Sequence, residues 1–272
     1  MFYQEYTPSF ILQSYIDRYW IVETSSADVY PMEHLLTPNG RDAIILQYHL
    51  EIPQIYLQAG NSKILPANYV LIQPHKSWKL RMPGVSGIAG VFFWPGALQH
   101  FLRCPMIELS NKPIELEALV GNRFRSLCGQ LHDIEPAGKI RLLDEFFIKL
   151  MNTGDRCYGH AQAAVKMVLQ RKGNSTVHQL ADDLGISRQL LSRQFAEKIG
   201  ITPKHFTRII RFNSLHRFLA TQPKSRWVDV TYDFGYFDQS HFIKDFYEFM
   251  GLLPTEYLLS STEMADFYAG KI

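Results

Sequence analysis

Six residues recur at a fixed offset near the C-terminal end of this 272-residue chain. Leu180-Ala181-Asp182-Asp183-Leu184-Gly185 aligns position by position with Val230-Thr231-Tyr232-Asp233-Phe234-Gly235, an offset of 235 − 185 = 50. Beyond the glycine the offset becomes 51: Phe195 aligns with Phe246, Gly200 with Gly251, Pro203 with Pro254 and Phe206 with Tyr257. One residue has therefore been added in the second turn, where Tyr236-Phe237-Asp238 stands against Ile186-Ser187. Repetition of a whole supersecondary unit restricts this region to two copies of one helix pair. Gly235 can take the left-handed conformation that ends a helix, and Asp238 can accept the orphan amides of the helix it opens. Two helices joined by so short a turn make a helix-turn-helix, the frame that places a helix in the DNA major groove.

The flanking segments are helical too. His160 to Gln170 carries Ala164, Val165, Val168 and Leu169 at inward spacing, and Lys172-Gly173-Asn174-Ser175 stops it. Thr176 with Gln179 fits a capping box. Pro203 to Leu219 reads as a long connecting helix with proline in its tolerated first turn. Gln222-Pro223-Lys224-Ser225 then breaks the chain, and the tail from Ser260 has no assigned element.

Within the first unit Leu191, Phe195 and Ile199 repeat every four residues and must face a core. That leaves Arg188, Gln189, Ser192 and Arg193 on the opposite face. Arginine can bind a guanine edge through two hydrogen bonds and glutamine can do the same for adenine. In the second unit Phe242, Phe246 and Phe249 turn inward, leaving Gln239, Ser240, His241 and Lys244 outward. Serine and neutral histidine can bond bases or phosphate, while lysine is a point charge suited to phosphate. Asp245 and Glu248 are expected one turn further along that outward face, where they would repel phosphate. The second unit is accordingly expected to position more than it specifies. Arg208, Arg211, Arg217 and Lys224 are further phosphate-contact candidates.

Gly235-Tyr236-Phe237-Asp238-Gln239-Ser240-His241-Phe242, followed by Phe246, Gly251 and Pro254, resembles the signature of the AraC/XylS regulators. The resemblance covers about Ala161 to Leu259. It implies a seven-helix module with two helix-turn-helix units on one chain, joined by a long helix.

From Phe10 to Trp94 the pattern is mostly β. Residues 17–23, 43–48, 54–58, 69–73 and 77–81 are short runs rich in β-branched and aromatic side chains. They are separated by Pro38-Asn39-Gly40, Ala59-Gly60-Asn61-Ser62, Pro74-His75 and Met82-Pro83-Gly84. Gly87 to Trp94 reads as a buried strand ended by Pro95-Gly96, and the spacing suggests a barrel or sandwich. Helical patterns follow over Ala97 to Arg103 and Ile114 to Leu131. Ile140, Leu142, Leu143, Phe146, Phe147, Leu150 and Met151 then form an amphipathic stripe. That stripe has two readings, a dimer contact as in the related regulators, or packing on its own β-domain. Asn152-Thr153-Gly154-Asp155 is the candidate boundary, dividing an α+β chain into a β-rich domain with trailing helices (1–155) and an all-α domain with a tail (156–272). Thr37-Pro38-Asn39-Gly40-Arg41-Asp42 and Gly90 to Ala97 resemble a less characterised class of N-terminal domains in these regulators, whose members often carry a small-molecule-binding β-barrel. The match names no ligand.

Charge is distributed unevenly. Residues 156–258 hold 14 Lys+Arg against 9 Asp+Glu, which is +5; residues 1–155 hold 13 against 15, which is −2; residues 259–272 hold 1 against 2. The positive excess sits with the repeat, as a phosphate footprint requires. No run of about eighteen apolar residues reads as a membrane span, and the start lacks the pattern of a secretory signal. Cys104, Cys128 and Cys157 are odd in number and scattered, giving neither a disulfide framework nor a metal pattern. The cytoplasm is the expected compartment.

The expected function is a sequence-specific DNA-binding transcriptional regulator controlled through its N-terminal domain by a ligand or by dimerisation. Double-stranded DNA, a small-molecule effector, a second copy and RNA polymerase are the candidate partners, and no membrane, catalytic residue, metal or cofactor is expected. An alternative makes the β-domain a metal-dependent enzyme, but His34, His49, His75 and His100 are scattered, without the clustered ligands such a site needs. A third reading leaves the β-domain as a dimerisation or polymerase-contact module without effector. Trp20, Trp78, Trp94 and Arg81 are candidate pocket residues.

Overall fold

The computed structural model describes residues 1–28, 31–50, 54–58, 61–82, 84–102, 104–151, 159–221 and 231–259. Its N-terminal part is a sandwich of two antiparallel sheets. The larger contains β1 (Phe2–Tyr6), β2 (Ile16–Glu23), β4 (Asp42–Leu50), β7 (Asn68–Leu71), β9 (Ser86–Phe93) and β10 (Pro113–Glu115), in the order β1-β2-β9-β4-β7-β10. The smaller contains β3 (Met32–Leu36), β5 (Ile55–Gln58), β6 (Asn61–Ile64) and β8 (Trp78–Met82), in the order β3-β8-β5-β6.

Both faces of the large sheet are covered, which is why its central strands read as nearly unbroken apolar runs. Tyr19, Ile44, Leu46, Ala89, Val91 and Phe93 point to one face and pack beneath helices. Val22, Ala43, Ile45, Tyr69, Leu71 and Ile88 point to the other, toward Trp78, Leu80 and Met82 of the small sheet. The helices on the first face are α1 (Gln99–Leu102), α2 (Met106–Leu109), α3 (Leu116–Val120), α4 (Arg123–Leu131) and α5 (Pro136–Leu150).

The apolar stripe of α5 packs on its own sheet. Leu143 and Phe147 are fully buried, and the Phe147 ring meets Phe93 at 5.6 Å and Phe101 at 5.5 Å. Asp144, on the same helix, accepts from Tyr19 Oη at 2.9 Å and from the Ser9 amide at 3.1 Å.

Six expected strands are present with shifts of one or two residues at their ends. The others, β1, β3, β6 and β10, were not legible because short edge strands take their order from a neighbour's hydrogen bonds rather than from their own periodicity. Asn61-Ser62, expected in a turn, opens β6. Ile114, expected to open a helix, instead pairs with Val70. Gly121, at φ 70°, ends α3 one residue before the N-cap of α4.

The C-terminal part contains α6 (His160–Gln170), α7 (Val177–Asp183), α8 (Arg188–Ile199), α9 (Pro203–Thr221), α10 (Gln239–Met250) and α11 (Pro254–Leu259). Ala164, Val165 and Val168 of α6 are buried as expected, but Leu169 is exposed and Ala161 completes the inward face instead. The capping box of Thr176 and Gln179 is formed. Most of the first helix of the second unit, Lys224, the proposed boundary at 152–155 and the tail from Ser260 lie outside the described residues.

The two parts are packed against each other. Gly200 closes α8 at φ 89°, and a Cβ there would lie 3.0 Å from the Met106 carbonyl oxygen and 3.1 Å from Ile72. The Gly40 turn sits on Ile210 and Phe206 of α9, and Asn213 Nδ2 donates to the Pro38 carbonyl at 3.0 Å. His75 and His205 meet across the same seam with ring centroids 4.8 Å apart. Burial, with His75 and Arg208 beside it, pushes His205 down to about 4.

Gly200→Ala and Gly185→Ala separate backbone strain from docking. Both residues have positive φ, but nothing lies within 4 Å of a Cβ at Gly185. We expect Gly185→Ala to cost about 1–2 kcal/mol. Gly200→Ala should cost about 2–5 kcal/mol, because strain is joined by overpacking against the N-terminal part. Denaturant unfolding of the two variants checks this.

Candidate functional site

The two repeated turns are built by the same hydrogen bonds. Gly185 N and Ile186 N donate to Asp182 O and Ala181 O, each at 3.0 Å. Gly235 N and Tyr236 N donate to Tyr232 O and Thr231 O at 2.9 and 3.1 Å. Each following helix is then capped alike: Ser187 Oγ accepts from Leu190 N at 3.2 Å, and Asp238 Oδ1 from His241 N at 2.7 Å. The equivalence continues through Tyr236, so the residue added to the second turn is Phe237.

Leu191, Phe195 and Ile199 are fully buried, as are Phe242, Phe246 and Phe249 to within 2%. The opposite faces are open. Arg188, Gln189 and Arg193 are exposed and Ser192 is half-buried; Gln239, Ser240 and Lys244 are exposed and His241 is half-buried, its ring 5.2 Å from that of Tyr236. Among the described residues Arg188, Arg193 and Lys244 form no ion pair, so their charge is available to a partner.

Asp245 and Glu248 do not face outward with Lys244, contrary to the expectation from spacing. Asp245 is 1% exposed. Arg208 of α9 reaches both acids, with Nη2 2.7 Å from Asp245 Oδ1 and 2.5 Å from Glu248 Oε2. Asp245 follows Phe242 by three residues and precedes Phe249 by four, which places it on the inward stripe; the counter-charge on another helix makes that burial tolerable. Two of the expected phosphate contacts are instead engaged within the module. Arg208 is committed to this pair, and Arg211 donates to the Gly173 carbonyl at 3.2 Å while lying over the Tyr236 ring at 5.5 Å.

A second feature lies between the sheets, a cavity of about 210 Å³. Its floor consists of cross-strand rows of the large sheet. One row runs Glu5, Trp20, Gly90, Ile45, Tyr69, and the next runs Arg18, Phe92, Ala43, Leu71. Gly90 is required there because a Cβ would lie 1.9 Å from the Trp20 indole, which occupies the space above it. His34, Leu36, Leu80 and Met82 of the small sheet form the roof. Asn213, His216 and Arg217 of α9 form part of the lining, so the helix that joins the two helix-turn-helix units also walls the cavity.

Polar atoms in this lining are unevenly satisfied. Arg18 and Arg41 both pair with Asp17, at 2.9 and 2.7 Å, and Arg18 also pairs with Glu5 at 2.7 Å. Gln54 Nε2 and Trp20 Nε1 are buried without a hydrogen-bond partner among the described residues. Of the expected pocket residues only Trp20 lines the cavity. Trp78 is in the core between the sheets, Trp94 lies under Arg41 at 5.1 Å, and Arg81 pairs with Glu33 at the surface. Among the described residues no group of three or more His, Cys, Asp or Glu is placed to hold a metal ion.

Arg208→Ala should cost about 3–5 kcal/mol of stability, because it strands the Asp245 carboxylate inside the module. The double variant with Asp245→Asn should recover part of that loss. Thermal or urea unfolding of both proteins measures it.

A family profile described as a helix-turn-helix domain matches residues 180–260, and one described as a domain of unknown function matches residues 4–115. An uncharacterized HTH-type transcriptional regulator of Haemophilus influenzae is 28% identical over 95 residues, 35% of this chain and 32% of the relative. The match thus spans about a third of that relative's length. Among solved structures, ToxT of Vibrio cholerae aligns over 96% of this chain and 99% of its own, at 13% identity and a TM-score of 0.46. ToxT of Vibrio cholerae strain SCE256 with a bound unsaturated fatty acid aligns over 89% and 94%, at 16% identity and 0.44. The AraC-like transcriptional activator CuxR aligns over 83% and 88%, at 13% identity and 0.28. By its duplicated, similarly capped helix pair and the profile match that covers it, the chain carries an AraC-type helix-turn-helix domain over residues 180–260, preceded by a domain of unknown function over residues 4–115.

Proposed function

We propose that α8 and α10 of one chain enter successive major grooves on one face of a duplex, and that occupancy of the inter-sheet cavity controls this binding. The observation that carries the first part is the pair of solvent-open faces, Arg188, Gln189, Ser192 and Arg193 on one helix and Gln239, Ser240, His241 and Lys244 on the other, each backed by a buried aromatic or aliphatic stripe. Successive grooves are about 34 Å apart. If the two helices are held closer than that, the duplex must bend, at a cost of about 1–6 kcal/mol. A monomer can then read an asymmetric site, and a homodimer would raise the effective concentration at a second one.

Base discrimination is assigned mainly to α8, because arginine and glutamine offer paired donors and acceptors that match guanine and adenine edges. The α10 residues are suited to phosphate and to single hydrogen bonds. The division rests on residue type, since Asp245 is buried and both it and Glu248 are paired with Arg208.

The cavity supports control by a small molecule. Its walls are largely apolar, and two buried lining atoms without a partner among the described residues, Gln54 Nε2 and Trp20 Nε1, are both donors. A ligand with a flat apolar body and acceptor atoms would satisfy them. Such a ligand would also touch Asn213, His216 or Arg217, and so bear directly on the helix between the two reading units.

Duplexes enriched from a random pool by the full-length protein provide the test. Arg193→Ala should cost about 1–3 kcal/mol on the preferred sequence and relax its base preference. Lys244→Ala should weaken all sequences alike and reduce the salt slope by about 0.9. A larger loss of preference in His241→Ala than in Arg193→Ala would reverse the assignment, and a full-length protein that ignores duplex DNA in dilute salt would remove it.

For the cavity, we expect carbonyl-bearing apolar compounds to raise the melting temperature of the wild type. Gly90→Ala, which displaces the Trp20 indole, should abolish that rise. An equal rise in both proteins would place the binding elsewhere.

A further inference from the structure

The one residue by which the second turn exceeds the first is a phenylalanine at the surface. Phe237 is 85% exposed, close to the largest exposure of any large apolar side chain among the described residues. A single exposed apolar residue ordinarily calls for no explanation. Here the repeat supplies one, because the first unit shows what a turn of this kind needs in order to fold.

In the first unit Ile186 follows the glycine, directly precedes the N-cap Ser187, and packs against the module core that includes Leu191. This is the usual hydrophobic staple between the residue before the cap and the fourth residue of the helix. In the second unit that task belongs to Tyr236, which is 2% exposed and whose ring meets Phe242 at 5.5 Å. The Tyr236 amide also donates to the Thr231 carbonyl, the hydrogen bond equivalent to that from the Ile186 amide to Ala181. Phe237 then lies between a completed staple and a completed cap, since the Asp238 carboxylate is already engaged with the His241 amide. Neither structural use of that position is left for it. Holding a phenylalanine in water forgoes the stabilisation that burial would return, so among the described residues the fold gains nothing from its placement.

Its location suggests where burial occurs. Phe237 stands two residues before Gln239 and three before Ser240, both exposed at the start of α10. The N-terminal residues of a recognition helix are those that approach base edges. An apolar side chain at that point has one sequence-specific partner in the major groove, the thymine 5-methyl group. We propose that Phe237 is a specificity-determining residue that buries its ring against a thymine methyl in the half-site read by the second unit. This rests on the groove-reading assignment made above. The first unit, which lacks the inserted residue, has no equivalent contact, so the two half-sites should differ in their demand for thymine.

Random-pool selection with the full-length wild type and with Phe237→Ala tests the inference, followed by deoxyuridine substitution at each enriched thymine. In the wild type, deoxyuridine at one position of the second half-site should weaken binding about fourfold, the scale of a single buried carbon group. Phe237→Ala should bind the wild-type sequence about tenfold more weakly, lose enrichment of that thymine, and no longer distinguish thymine from deoxyuridine there. Phe237→Leu should restore most of the discrimination, and thermal unfolding of both variants should match the wild type. An unchanged selected sequence in Phe237→Ala overturns the proposal. So does a sedimentation shift from dimer to monomer without change in base preference, which would make the ring a contact between copies. Absence of any enriched sequence for the wild type would instead overturn the groove-reading assignment on which this one stands.

Discussion

The long helix α9 has buried neighbours on several sides, and the placement of every functional element follows from them. Phe206, Ile209, Phe212 and Leu215 are within 1% of complete burial and form the spine of the helical module. Its Arg208 holds Asp245 and Glu248 of α10, fixing that helix to the spine by charge as well as by packing. Its Arg211 grips the Gly173 carbonyl at the end of α6, where a Cβ on the glycine would meet the α9 backbone at 2.2 Å. The remaining side of α9 leans on the Pro38–Gly40 turn of the sandwich and reaches the cavity. A rotation of this one helix would therefore move α8, α10 and the cavity lining together.

That arrangement assigns different tasks to chemically identical residues. Arg208 and Arg211 are engaged within the module, while Arg188 and Arg193 are exposed and form no ion pair among the described residues. Desolvation explains the difference. An arginine facing two acids across a helix interface neutralises a carboxylate that is 1% exposed, and removing either partner would leave an uncompensated buried charge. An arginine on an open face incurs no such penalty until a polyanion arrives, and it then releases counterions from that partner.

The sandwich repeats this economy of position on a different scale. Because the large sheet is covered on both faces, alternate residues of the same strand serve two purposes. Tyr19 and Phe93 belong to the helix-covered core, while Trp20 and Phe92 face the cavity one residue away. A shift of one residue in register would exchange the two sets. Gly90 fits this pattern, since it lies in the cavity-floor row directly opposite Trp20 and makes room for the indole.

Much of the helical module was legible in the amino-acid sequence, because capping, glycine turns and four-residue apolar spacing are local properties that a repeat states twice. Arg188, Gln189, Arg193, Gln239, Ser240 and Lys244 could be placed on open faces for that reason, and the change of offset from 50 to 51 was confined to Tyr236-Phe237-Asp238, while only the hydrogen bonds of the turn single out Phe237. The central strands were legible from composition. What only the tertiary structure decided involves partners distant along the chain. The inward turn of Asp245 depends on Arg208, 37 residues earlier. The short edge strands depend on their neighbours' hydrogen bonds, and the cavity depends on rows that cross four or five strands before meeting a helix from the other half of the chain. Local spacing determines which face a residue occupies, but the counter-charge, sheet neighbour or wall that the face meets is set by how the chain closes on itself.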